Sequence, residues 1–81
     1  MPRHRVLTFA AATDIVGADH CELDLPEGAT VGELRAALHA AYPAFAELKT
    51  FAIARNEVYA TDDERIVAGD VLVVIPPVSG G

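Results

Sequence analysis

Five consecutive apolar residues near the end of the chain, Val71-Leu72-Val73-Val74-Ile75, run straight into Pro76-Pro77, and no other stretch limits the fold as tightly. The run is short, rich in β-branched residues and bounded by Gly69-Asp70, which predicts a strand; its lack of alternation predicts one buried on both faces. Neither proline has a backbone N–H, so sheet pairing must stop there, and their fixed φ stiffens the base of the tail into an extended rod. The chain then closes with Val78-Ser79-Gly80-Gly81. Fully extended, residues 76–81 would reach roughly 20 Å, enough to enter a partner's active-site cleft. Two bare glycines pass through a narrow channel and leave the Gly81 carboxylate as the only reactive group at the tip. The competing reading is an ordinary frayed terminus. It does not account for a stiff base followed by a bare tip.

Eighty-one residues, 52% hydrophobic and 22% charged, describe one globular domain with a small core rather than a disordered chain. A single cysteine, Cys21, excludes an internal disulfide, and His4, His20 and His39 lack the spacing of a zinc site. No apolar stretch nears the roughly 20 residues of a membrane span, and Met1-Pro2-Arg3-His4-Arg5 has no signal core behind it, so a cytoplasmic location is expected. The net charge of -6 disfavours nucleic acid and anionic membranes as partners, and permits steering toward a basic protein surface.

Arg3 to Ala10 reads as a first strand with apolar residues on both faces, Leu7 and Phe9 on one and Val6 and Ala10 on the other. Asp14 to Gly17 reads as a helical turn closed by Gly17. In a second strand Cys21, Leu23 and Leu25 alternate with His20, Glu22 and Asp24. After the turn Pro26-Glu27-Gly28, Thr30 and Glu33 have the spacing of a capping box, and Val31, Leu34, Leu38 and Ala41 form one apolar stripe of a helix that Pro43 ends. Ala44 to Leu48 reads as a short helical turn. A strand follows from Phe51 to Arg55, then a turn at Asn56-Glu57, an edge strand Val58-Tyr59-Ala60, and the acidic loop Thr61-Asp62-Asp63-Glu64. The order predicts an α+β fold, a mixed sheet of about five strands with one main helix packed on it and the first and last strands at its centre.

No nucleophile stands beside a base and no Gly-rich phosphate loop is present, so the chain is expected to catalyse nothing by itself. Cys21, on the apolar face of a strand, reads as an inert core thiol, and His39 as surface helix.

The ending Ile75-Pro76-Pro77-Val78-Ser79-Gly80-Gly81 resembles that of the MoaD-type small subunit of molybdopterin synthase, in the MoaD/ThiS family of ubiquitin-like sulfur carriers. The resemblance extends through Leu7-Thr8-Phe9-Ala10, Leu25 to Val31 and Ala68-Gly69-Asp70. It implies a β-grasp domain over residues 1–75 and an extended flexible tail over 76–81. It also implies that Gly81, preceded by Gly80, is adenylated by an E1-like (MoeB-type) adenylyltransferase that uses ATP. A sulfur donor, a cysteine desulfurase or rhodanese-like protein, then converts it to a thiocarboxylate. In the large (MoaE-type) synthase subunit that sulfur passes to cyclic pyranopterin monophosphate. No cofactor or metal is implied on the chain itself. Phe9, Tyr59 and Ile75, with Pro76, Pro77, Val78 and Ser79, match the family's partner contacts, although core packing of Phe9 and Ile75 is an equal reading.

One departure bears on partner choice: Thr13-Asp14 stands where many relatives have Arg-Glu. Two other functions stay open, a thiocarboxylate carrier for another pathway, such as thiamine or a secondary metabolite, and a ubiquitin-like interaction or conjugation module.

Overall fold

The structure, a computed structural model, describes residues 2–48 and 50–77. β1 (Arg3–Leu7) buries His4 and Val6 and exposes Arg3 and Arg5. It stops three residues short of the expected Ala10. Past Leu7 the backbone N–H of Thr8 donates to Asp19 O (2.9 Å) and its hydroxyl to Ala18 O (2.6 Å), and Ala10 takes φ 50 to enter α1 (Ala11–Val16). Gly17 closes that helix at φ 83, a left-handed conformation that glycine adopts without steric cost, and its N–H reaches Thr13 O. β2 (His20–Asp24) then returns antiparallel to β1, with Val6 opposite Cys21.

The capping box forms as the spacing predicts. Glu33 N donates to Thr30 Oγ1 and Thr30 N to Glu33 Oε1, both at 3.2 Å, so the first turn of α2 (Val31–Ala41) keeps few orphan donors. Val31, Leu34 and Leu38 are fully buried, but Ala41 is exposed, which corrects the expected stripe. Past Leu38 the helix has left the core. A 3-10 helix (Pro43–Glu47) brings Phe45 in instead, its ring 5.1 Å from that of Phe51. His39 is exposed, as expected, yet its ring lies 5.4 Å from Phe51 and shields it.

β3 (Ala52–Arg55) and the two-residue β4 (Val58–Tyr59) are joined by Asn56 and Glu57, both at positive φ, as a two-residue hairpin turn requires. β5 (Leu72–Ile75) runs parallel to β1 and antiparallel to β3, giving the order β2-β1-β5-β3-β4. The last strand is therefore central and the first lies beside it. This is the ubiquitin-like β-grasp arrangement, a five-stranded mixed sheet with one main helix on one face.

The expectation that β5 is buried on both faces is not met. Leu72 and Val74 are fully buried among the core residues that α2 supplies, while Val73 and Ile75 are only partly covered and Val71 is 50% exposed. One helix of three turns covers one face of a sheet. The loop before β5 is clamped to the β3–β4 turn through Asp70, whose carboxylate accepts from Arg55 Nε (2.6 Å), Asn56 Nδ2 (2.9 Å) and Val67 N (2.8 Å). That clamp fixes where the strand carrying the tail begins.

Candidate functional site

Because successive side chains alternate across a strand, the pairing register dictates what occupies the sheet face that α2 leaves bare. His20 lies opposite Leu7, Leu7 beside Val73, Val73 opposite Ala54, and Ala54 opposite Tyr59. These five residues form one row across all five strands, with Ile75 opposite Ala52 one pleat further along β5. The row is apolar from Leu7 to Tyr59. Tyr59 is 68% exposed, so its ring is available for contact and is not holding the core together.

Beside this row, toward the tail, Tyr59, Ile75, Pro76 and Pro77 line a hollow of about 310 Å³ together with Thr50 to Ala52. Four of the residues singled out from the sequence thus meet in one place. Pro76 is buried and Pro77 exposed, so the chain emerges from the body of the domain between them. Phe9 does not line the hollow. It lies beyond the end of β1 and is 64% exposed, which removes the core reading for this residue, while Ile75 is half-buried. Val78, Ser79, Gly80 and Gly81 lie outside the described residues.

Leu7, Val71, Val73 and the buried Ala54 belong to the face opposite α2 and are not among the contact residues that the sequence suggests. The unbroken run Val71 to Ile75 hides its own alternation. The signal was available in another form: with a single amphipathic helix predicted, one face of the sheet had to remain uncovered.

The β2 side of the face is polar. Arg3 Nε lies 3.1 Å from Asp24 Oδ1 and its NH1 group 3.5 Å from Glu22, pairs that are well exposed and so worth little to stability. His20 Nδ1 lies 2.8 Å from Asp19 Oδ1, a hydrogen bond that holds the Asp19 carboxyl below its usual range. Burial pushes the Cys21 thiol up, away from the nucleophilic thiolate, in keeping with a core role. Among the described residues no three His, Cys, Asp or Glu side chains gather as a metal site, and no helix is long and apolar enough to cross a membrane.

The pattern of the ThiS family matches residues 6–81. The molybdopterin synthase sulfur carrier subunit of Chlamydomonas reinhardtii is 36% identical over 80 residues, which cover 95% of this chain and 96% of that one. The crystal structure of SAMP1 from Haloferax volcanii superposes with a TM-score of 0.84 at 30% identity, covering 99% of this chain and all of that one. Subunit 1 or 2 of the molybdopterin-converting factor complex from Helicobacter pylori 26695 superposes with a TM-score of 0.68 at 25% identity, covering 99% of this chain and 100% of that one. With a family match over most of its length and a full-length relative above 30% identity, the chain belongs to the ThiS family.

Proposed function

We propose that this chain is the sulfur carrier subunit of a molybdopterin synthase, with the Gly81 carboxylate as the group that carries sulfur. A carboxylate resists attack because its charge is delocalised and oxide leaves poorly, so it must first be activated. An E1-like partner supplies the activation: a carboxylate oxygen attacks the α-phosphate of ATP, pyrophosphate leaves, and the acyl-adenylate forms. The persulfide sulfur of the donor then displaces AMP to give an acyl persulfide, and a second thiol attacks its S–S bond, releasing the terminus as a thiocarboxylate and leaving a disulfide. The chain contributes presentation to these steps. Its bare face docks on the partner, and the tail leading from β5 delivers the terminus into the partner's cleft. In the large subunit the sulfur passes to cyclic pyranopterin monophosphate.

The observation that carries this reading is the apolar row from Leu7 to Tyr59 on the sheet face opposite α2, half-buried at Leu7 and Val73 and open at Tyr59, which adjoins the strand from which the tail departs. It supports a protein that grips partners with its sheet and acts with its end. The test is reconstitution of the purified chain with its E1-like partner, ATP, a sulfur donor, the large subunit and cyclic pyranopterin monophosphate. Molybdopterin should form, and deletion of Gly81 should abolish it. No product, in a mixture where an established sulfur carrier subunit supports synthesis, would contradict the proposal.

The match to SAMP1 favours a second use of the same chemistry, in which an amine takes the place of sulfur and the terminus modifies another protein. Tryptic peptides bearing a lysine-linked remnant that begins at Ile66 would establish it.

A further inference from the structure

We propose that Arg5, with the hollow beside it, sets the register of docking on the bare face by accepting a carboxylate of the partner protein next to an apolar partner side chain. The inference rests on the reading of that face as the partner surface.

Alternation along β1 puts Arg5 on the bare face, two residues before Leu7. Its cross-strand neighbour on β2 is Glu22, the residue that would ordinarily pair with it. Glu22 is instead turned toward Arg3, which also holds Asp24. Among the described residues no carboxylate lies within ion-pair distance of the Arg5 guanidinium, whereas Arg3, Arg35 and Arg55 each have at least one and Arg65, away from this face, donates to Gly28 O instead. Asp19 is near enough to feel its charge, but the Asp19 carboxylate is hydrogen-bonded to His20.

Next to Arg5 lies a hollow of about 340 Å³ lined by Arg5, Leu7, Asp70, Val71 and Leu72. Asp70 brings no free charge to it, because that side chain is 5% exposed and is engaged by Arg55, Asn56 and Val67 N. The hollow therefore offers a visitor one cation beside the apolar surfaces of Leu7 and half-exposed Val71. It is continuous with the row Leu7-Val73-Ala54-Tyr59 through Leu7 itself, so a partner seated on the row reaches it without a second contact surface.

The local charge of Arg5, opposite in sign to that of the chain as a whole, fixes the occupant as a carboxylate. The chain carries a net charge of -6, so a partner attracted to it at long range has a predominantly basic surface. Arg5 is a position on this face at which such a surface meets a positive charge that no carboxylate among the described residues pairs. A partner acid placed there pairs with it, whereas a basic residue in the same place, or docking shifted by one strand, is penalised. A neutral apolar patch would tolerate either register.

The experiment is isothermal titration of the cognate large subunit with wild-type chain, Arg5→Ala, Arg5→Lys and Arg5→Glu, each checked by thermal denaturation. Arg5→Ala should weaken binding about tenfold and Arg5→Glu about a hundredfold, with melting midpoints unchanged, as expected for an interfacial charge that no intramolecular partner uses. Arg5→Lys should retain affinity within about threefold, since the charge survives. Wild-type affinity for both Arg5→Ala and Arg5→Glu would overturn the inference and leave the sulfur-carrier reading standing. Failure of the wild-type chain itself to bind would instead count against that reading.

Discussion

Replacing Asp70 by alanine should cost about 3 kcal/mol of folding stability, because its carboxylate joins three segments at once. It accepts from Arg55 Nε at 2.6 Å, from Asn56 Nδ2 at 2.9 Å and from Val67 N at 2.8 Å, and its side chain is 5% exposed. Hydrogen bonds to a charged group are worth about 1.5–3 kcal/mol and neutral ones about 1, but removing their shared acceptor lets some donors find water, so the sum is less than three full bonds. Arg55 keeps Glu64 at 3.3 Å, and the exposed Asn56 turn can be solvated, whereas the Val67 N–H loses its partner. For a domain of this size 3 kcal/mol corresponds to a fall of roughly 15 °C in melting temperature. Urea denaturation monitored by circular dichroism at pH 7 measures it.

The same group gives the pH dependence a sign. Burial alone would push the Asp70 carboxyl up, but the hydrogen bonds from Arg55, Val67 N and Asn56 outweigh it and hold the carboxyl below its usual range. A depressed carboxyl stabilises the fold fully above its unfolded pKa, about 4, and that contribution is lost as pH falls through the folded value. Wild type should therefore lose stability below about pH 4 more steeply than Asp70→Asn, which cannot titrate. A loss under about 1 kcal/mol for Asp70→Ala, or equal acid slopes for wild type and Asp70→Asn, would show that the clamp is solvated and does not order the start of β5.

Separate parts of the molecule carry their own expected outcomes. Thr30→Ala should cost about 1 kcal/mol by removing the cap of α2, read as a shifted denaturation midpoint. Tyr59→Ala should leave stability within about 0.5 kcal/mol, because the ring is mostly exposed, yet weaken binding of the large subunit about tenfold in titration calorimetry. Gly80→Val should abolish sulfur transfer in a single-turnover assay while binding persists, since a β-branched side chain blocks a channel fitted to bare backbone.

Much of the fold was legible because its signals are local. Gly17 as a helix stop, the Thr30–Glu33 box, Pro43 as a terminator and the Asn56-Glu57 turn all depend on chemistry within a few residues, and each stands where the sequence places it. The errors came from long-range effects. Arg3 to Ala10 looked like one strand because nothing local reveals that Thr8 is drawn to Ala18 and Asp19. Val71 to Ile75 looked doubly buried because an apolar residue facing a partner is indistinguishable in sequence from one facing a core. Tyr59 and Ile75 stand out only through the family resemblance, while Leu7, Val73 and Ala54 between them become visible only through the register. Arg5 is a further case: the register sets Glu22 across from it, and only the side-chain geometry gives that carboxylate to Arg3.

The proposed role of the chain's end, presented by a sheet face suited to docking, is to carry sulfur. Its most direct test is the intact mass of the purified protein after incubation with its E1-like partner, ATP and a sulfur donor. A gain of about 16 Da, sulfur replacing oxygen, should localise to the C-terminal peptide and disappear when Gly81 is deleted. An unchanged mass, with a partner that demonstrably adenylates an established sulfur carrier in the same buffer, would contradict it.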